Sequence, residues 1–577
     1  MNPGGHFDAV DHDVVICGGG LAGACLAKQL RDALPGLSVR VYERTPSPLP
    51  VSAYKVGEST VEVGAHYLAE VVGLRKHIDS EHLEKLGLRY FYNGTVDGLP
   101  GAAEFGVTRF LPAPSYQLDR GVLEETLRGL VQEAGADFLE GVRITDIRLG
   151  EGAAPHEVTV QDREGATETV SCRWVIDAMG RRRFLQKQLG LAMAAPHRHS
   201  AVWWRLAGRL DIDEVVARSH SAWHARVAEP RWNSTNHFMF EGGWMWVIPL
   251  GTGHTSVGIV ASEAQHPFAT FNTLQKALAF AAERVPELAG PMRALEVLDF
   301  LVMRGYSHSS RQVFSGDRWA CVGESGVFAD PYYSVGSNLI AYANGFTTRM
   351  IAQDVEGRFD AGLVTHANRY YLSLAENLTH NIQLAYPFHH RPGIMALKTI
   401  WDYYVGWAFS DPQYYEQTYL HPAQSAVISG LGARVVAIQA RVMGLFEVWA
   451  RQGEESSLAF DYIDYIDDLP TLARLFEQSL PRDRVRAFDV VMRHIREGID
   501  RIEELAHVLF YLALDDVLPE EASRVRAAGW LNVSALSLQP DQWEADGLFA
   551  PRSRPRMPEL AALDTEIRSL FRVLEVV

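Results

Sequence analysis

Asp13-Val14-Val15-Ile16-Cys17-Gly18-Gly19-Gly20-Leu21-Ala22-Gly23 is the stretch that decides the fold. Val14 to Cys17 reads as a buried parallel strand. Gly18, Gly20 and Gly23 follow in a G-x-G-x-x-G spacing, and Ala24 to Leu30 is a good helical segment. A second strand, Ser38 to Glu43, ends in an acid 20 residues beyond Gly23. Each part has a physical job. Gly18 makes the tight turn, Gly20 lets a pyrophosphate approach the backbone, and Gly23 lets helix and strand pack closely. The helix start offers unpaired N–H groups and partial positive charge, and Glu43 can hold a ribose hydroxyl. Strand, glycines, helix, second strand and acid together predict a dinucleotide-binding α/β unit.

Composition narrows the partners. The chain has 577 residues, 47% of them hydrophobic, and a net charge of −17. That acidity argues against nucleic acid, whose phosphates need a cationic face. Cys17, Cys25, Cys172 and Cys321 form no C-x-x-C pair and read as buried reduced thiols, so no metal or redox-disulfide site is expected. Residues 1–12 lack the features of a leader, and no uninterrupted apolar stretch approaches the ~20 residues of a membrane span. A cytoplasmic protein without a transmembrane segment is the expectation.

Two more glycine turns follow the first. Arg173 to Asp177 is an apolar strand running into Asp177-Ala178-Met179-Gly180. Gly316 to Gly323 is another, continuing through Asp330-Pro331-Tyr332-Tyr333-Ser334-Val335-Gly336-Ser337 into a helix from about 339 to 354. Between them, 201–206, 244–250 and 255–260 predict an antiparallel sheet walling a chamber. Helices are expected over 61–72, 121–133 and 271–284. Beyond 365 the chain reads as helical, over 367–380, 395–408, 432–451, 484–514 and 561–574.

Three such turns in order resemble the FAD-binding proteins of the flavin hydroxylase superfamily. The third turn, with Asp330 and the following helix start, is placed to reach the ribityl chain and flavin ring. No second strand–glycine–helix unit is present for a nicotinamide, so the FAD is expected to arrive reduced. Trp244-Met245-Trp246-Val247-Ile248-Pro249 then matches W-x-W-x-I-P, the signature of flavin-dependent halogenases. Gly57-Glu58-Ser59-Thr60 resembles that family's G-E-[AS]-T, and Tyr116-Gln117-Leu118-Asp119-Arg120 its Y-x-x-D-R segment. Trp244 and Trp246 share one strand face, since side chains two apart point the same way.

The resemblance runs from about residue 10 to residue 350. It implies an α/β fold: a Rossmann-like FAD domain of the flavin hydroxylase type, an antiparallel substrate-domain sheet and a helical C-terminal region. The expected division is a core over 1–365, its chamber sheet at about 85–120 and 200–305, and a helical region over 366–577 covering the chamber. The implied cofactor residues are Gly18, Gly20, Ala22, Gly23, Glu43, Lys55, Gly57, Glu58, Ser59, Arg120, Asp177, Gly180, Gly323, Asp330, Pro331 and Gly336. The implied activity uses reduced FAD, oxygen and chloride or bromide to make hypohalous acid, which a lysine relays to an electron-rich aromatic. Lys85, 27 residues after Glu58, best matches that lysine; a surface lysine is the alternative reading, and Lys55 is assigned to the flavin side. Trp244 and Trp246 are expected to keep substrate from the flavin.

Tryptophan halogenases place a glutamate just before the serine of the third turn. Here that position is Tyr333, so a phenol or pyrrole, free or carrier-bound, is the expected substrate in natural-product (secondary-metabolite) biosynthesis. A phenol can ionise and activate its own ring, with less need of a carboxylate base. Tyr332 and Tyr333 are pocket residues or packing. Ser334, Val335, Gly336 and Ser337 are the halide candidates. A separate NAD(P)H-dependent flavin reductase is the implied partner. Two rivals stand: a flavin monooxygenase on the same fold, and a flavin-binding module acting through a partner without chemistry of its own.

Overall fold

The structure is a computed structural model that describes residues 10–50, 55–92, 98–195, 198–453, 458–482, 484–550 and 560–572. The leader reading of residues 1–12 and the end of the helix expected over 561–574 lie partly outside that range.

The quoted stretch folds as expected. His12–Cys17 is a strand buried along its length, and Leu21–Ala33 is the helix behind it. That strand lies between Val39–Glu43 and Thr167–Asp177, parallel to both. Trp319–Cys321 then pairs in parallel with Thr167–Asp177. The register aligns the ends: Cys17 is opposite Asp177, and Asp177 is opposite Cys321. Gly18, Gly180 and Gly323, far apart in sequence, therefore leave the sheet at one carboxyl edge, where ligands of such sheets collect. Asp137–Glu140 extends this sheet in parallel, and the antiparallel strands Arg143–Arg148 and His156–Gln161 complete the seven-stranded layer.

The second sheet has eight strands. Its centre is the antiparallel set His199–Leu206, Thr255–Ser262, Gly243–Pro249 and Thr235–Phe240. Nearly every residue of these strands is buried. Such near-continuous burial means both faces are covered, which is why the tryptophan strand lacks polar alternation. Val297–Met303 adds one edge. At the other side lie Leu88–Tyr92, Ala103–Gly106 and finally Tyr462–Asp464, a strand supplied by the C-terminal region.

The C-terminal region is helical as expected, over Ala361–Gln383, Pro392–Val405, Pro422–Gln452, Phe488–Val517 and Leu560–Ser569. Pro422–Gln452 is, by length and composition, apolar enough to cross a membrane. In the fold it packs against Phe488–Val517, burying Ile428, Val435, Ile438, Val442, Phe446 and Trp449. Two helices expected as regular contain π-turns. The segment expected over 61–72 is an α-helix at Glu62–His66 and a π-turn at Tyr67–Val71, and the one over 395–408 passes into a π-turn at Gly406–Ser410. Such insertions often lie at functional sites.

Candidate active site

A cavity of about 1080 Å³ opens along the edge where the three turns meet. Its first part is lined by Gly18, Gly20, Ala22 and Glu43. A Cβ on Gly18 would lie 2.4 Å from the Ala178 carbonyl oxygen, and φ there is +114°. A Cβ on Gly23 would lie 2.0 Å from the Gly18 carbonyl oxygen, so Gly23 serves packing and does not reach the cavity. Gly20 is the opposite case: the nearest atom to an added Cβ is Glu124 Oε2 at 4.0 Å, on open cavity wall. No side chain caps the helix that starts at Leu21, which leaves its first N–H groups for a ligand. Glu43 accepts from the Gly19 and Thr45 N–H groups, each at 2.8 Å, and its carboxylate oxygens retain lone pairs for a ribose.

The middle of the cavity is lined by Lys55, Gly57, Glu58, Ser59 and Arg120. Lys55 and Arg120 both pair with the buried Glu124. Glu58 is buried yet compensated, because Arg205 Nε donates to it at 2.8 Å and Arg205 also pairs with buried Asp299. Burial raises the Glu58 carboxyl, and Arg205 pulls it back. Gly180 (φ +57°) and Gly323 (φ +59°) line the cavity from the second and third turns. Asp177, expected at the cofactor, is instead behind the wall. Its two oxygens accept from the N–H groups of Met179, at 3.0 Å, and Leu185, at 2.9 Å, so it holds its own turn.

The far end is lined by Trp244, Trp246, His237, Asp330, Pro331, Ser334, Gly336 and Ser337. Ser334 has φ +58°, a left-handed conformation costly for serine. Gly336–Val355 starts there with no side-chain cap. Ser337 Oγ is buried and has no hydrogen-bond partner among the described residues. Val335 faces away into the core. Asp330 anchors the turn: it accepts from the hydroxyls of Tyr306 and Tyr386, both at 2.8 Å, and from Tyr332 N–H at 3.1 Å. Burial pushes its carboxyl up to about 6 despite those donors. Trp244 Nε1 donates to Tyr386 at 3.1 Å, and Trp246 Nε1 to Ser256 Oγ at 3.1 Å, so both indoles are held.

Tyr332 and Tyr333, the expected pocket residues, do not line the cavity. Tyr332 packs among Tyr90, His237, Trp244 and His389. The Tyr333 hydroxyl donates to Asp402 at 2.7 Å and accepts from Lys398 at 3.3 Å. Of the chain's seven lysines only Lys85 and Lys398 are buried. Lys398, Asp402, Tyr386 and His237 were invisible to motif reading, because their partners are distant in sequence and only the fold brings them together.

Lys85 is 2% exposed and lies just beyond the cavity wall. Its ammonium donates to Ser59 Oγ at 3.1 Å and to the Thr60 carbonyl at 2.6 Å; both residues line the large cavity. On its other side is a pocket of about 20 Å³ lined by Val61, Glu62, Ser115, Tyr403, Trp407 and Tyr465, among others. Burial pushes the Lys85 ammonium down to about 7, while Glu62 pulls it upward. Trp407 belongs to the π-turn Gly406–Ser410.

These features define a flavoprotein of the three-turn class. The open Gly20 wall, the two uncapped helix starts and the Glu43 carboxylate fit FAD. A tryptophan-halogenase family model matches residues 107–394, and a NAD(P)-binding Rossmann-like model matches residues 16–78. The chain is 25% identical over 367 residues to the flavin-dependent halogenase chlA of Dictyostelium discoideum, covering 59% of this chain and 60% of that one. It is 27% identical over 347 residues to the 1H-pyrrole-2-carbonyl-[peptidyl-carrier protein] chlorinase of Pseudomonas fluorescens, covering 56% and 72%. The solved structure of halogenase PltM in complex with phloroglucinol and FAD superposes with a TM-score of 0.59 at 18% identity, covering 89% of this chain and 98% of that one. Over these spans the chain is similar to the flavin-dependent halogenases, and it covers about 60% of the length of chlA.

Proposed function

We propose that this protein is a reduced-FAD-dependent halogenase acting on an electron-rich aromatic, a phenol or pyrrole, with chloride or bromide. One observation carries the reading: a buried lysine donates to Ser59, which lines the FAD cavity, and faces a separate aromatic-walled pocket on its other side. Bound reduced FAD supplies, with oxygen, the oxidising power that turns halide into hypohalous acid. The chain's own residues do the rest. Ser334, Gly336 and the unpartnered Ser337 hydroxyl offer uncharged donors for a halide at an uncapped helix start. The Val335 backbone completes that turn. Trp244 and Trp246, held by Tyr386 and Ser256, form the wall that excludes an aromatic substrate from the flavin end. Lys85 receives the oxidant through the Ser59 side; the pocket toward Tyr403 and Trp407 encloses only about 20 Å³, room for a water-sized molecule, so an aromatic ring reaches the lysine only once that wall opens. An ammonium poised near neutrality donates a hydrogen bond in its charged form and reacts as an amine in its neutral form.

The likeness to the pyrrole chlorinase supports a carrier-bound aromatic as one form of the substrate, and a separate flavin reductase supplies the reduced cofactor. The four cysteines are buried free thiols, which suits a reducing, cytoplasmic setting. The test is purified protein with FAD, a generic flavin reductase, NADH, oxygen and bromide or chloride, offered phenols and pyrroles and read by mass. A halogen isotope pattern lost in Lys85→Ala, with flavin oxidation continuing, is the expected result. Products one oxygen heavier and indifferent to halide would replace the reading with a monooxygenase.

A further inference from the structure

Tyr333 occupies the place where tryptophan halogenases put a carboxylate beside the lysine, and its hydroxyl is engaged with Asp402 and Lys398. Lys85 nonetheless has a carboxylate neighbour from a different element. Glu62 is the first residue of the helix Glu62–His66 and lines the same small pocket as Lys85. The rest of that pocket is apolar or uncharged: Val61, Leu88, Ser115, Tyr403, Trp407 and Tyr465. We propose that Glu62 is the counter-carboxylate of Lys85, a positioning residue that keeps the lysine's ammonium charged in the pocket. Its catalytic meaning rests on the halogenase reading; its geometry does not.

Glu62 acts across the pocket without a direct contact, since the Lys85 ammonium donates to Ser59 and Thr60; burial raises the Glu62 carboxyl, and its own N–H and the Lys85 charge pull it back. Asp411, at the start of Asp411–Tyr415, faces Glu62 and is held well above the usual carboxylate range by burial and by that negative charge, which favours its neutral form. His237, which faces Lys85 from Thr235–Phe240, is pushed down to about 3 by burial and stays neutral. Tyr403, Tyr415 and Tyr465 also feel Glu62, and burial keeps their hydroxyls protonated. An isolated ammonium there would lose its proton; a facing carboxylate resists that loss. The arrangement moves the lysine's carboxylate from the third turn, where Tyr333 stands, to the segment directly after Gly57-Glu58-Ser59-Thr60.

The experiment is an NMR titration of protein labelled at the lysine ε-carbons. Seven lysines give few signals, and Lys85→Met identifies the one that matters. The wild-type Lys85 midpoint is expected near 7. In Glu62→Gln it should fall by about one pH unit or more, and in Glu62→Asp, which keeps the charge, by less than about half a unit. The remaining six signals report whether each variant is folded. The limb of the halogenation pH profile that reflects Lys85 deprotonation should move with the midpoint. A Glu62→Gln midpoint within about 0.3 units of wild type overturns the proposal, as does an Asp variant that shifts as far as the Gln variant. If no halogenated product forms with wild type, the halogenase reading fails while the titration still decides on Glu62.

Discussion

The glycine turn allows a prediction in which neighbouring substitutions fail for different reasons. In Gly23→Ala the new Cβ would sit 2.0 Å from the Gly18 carbonyl oxygen and 3.0 Å from Ala178 Cβ. Carbon and oxygen need roughly 3.2 Å, so helix and strand must separate by about 1 Å, an overpacking that costs about 1–3 kcal/mol or more. Gly20→Ala meets nothing nearer than 4.0 Å, and Gly20 has φ −73°, which any residue adopts. Its methyl instead stands on the wall that a pyrophosphate must approach. Loss of a charge-assisted hydrogen bond there is worth about 1.5–3 kcal/mol, roughly a 10- to 150-fold weaker Kd for FAD. Urea unfolding without flavin, and calorimetric titration with FAD, separate the two. Gly23→Ala should lose stability, and Gly20→Ala should keep it and lose affinity. A Gly20→Ala protein that binds FAD as tightly as wild type would refute the assignment of this wall to the cofactor.

Other perturbations test the far end of the cavity. Asp330 titrates near 3.8 when unfolded and about 6 when folded, so between those values the folded state holds more protons and stability falls as pH rises, by about 3 kcal/mol in all. Asp330→Asn should flatten that part of the curve in urea midpoints taken from pH 4 to 6.5. Tyr386→Phe removes a donor that holds the Asp330 carboxyl down and strands the Trp244 indole N–H, so the titration should move above 6 and about 1–3 kcal/mol should be lost. Gly258→Ala places a Cβ 2.2 Å from the Trp246 ring, so the indole must shift. Its expected cost is about 1–3 kcal/mol, with less halogenated product per flavin oxidised; a product ratio equal to wild type would separate Trp246 placement from coupling.

What could be read from sequence was local. The first turn, the tryptophan strand and the long C-terminal helices each carry their signal within one short continuous stretch, none longer than the 31 residues of Pro422–Gln452. The family resemblance, not the residues alone, points to Lys85, and its acceptors Ser59 and Thr60 come from a different element and appear only in the fold. Asp177 misled because an acid at a strand end reads the same whether it faces a ligand or caps its own turn. Tyr332 and Tyr333 stay open in the sequence between pocket wall and packing, because two aromatics beside glycines suit both, and the fold places them in packing. Lys398, Asp402 and Tyr386 had no signal, since a buried polar residue on an apolar helix declares itself only through its distant partner. Strands such as Thr235–Phe240 and Val297–Met303 were missed because they are bounded by sheet pairing and not by strong turn residues.

The strand Tyr462–Asp464 has a consequence for how the chain is made. It pairs with Ala103–Gly106, and the nearby bond from Thr108 N–H to Asp464 spans 356 positions. At about 5–20 residues per second, a ribosome needs roughly 20–70 s to deliver the partner after the first strand has emerged. For that interval Ala103–Gly106 presents an unpaired edge, the kind of surface that captures strands of other chains. The chamber sheet can close only when synthesis is largely over, so the nucleotide-binding layer has its main parallel strands in place long before the chamber it serves.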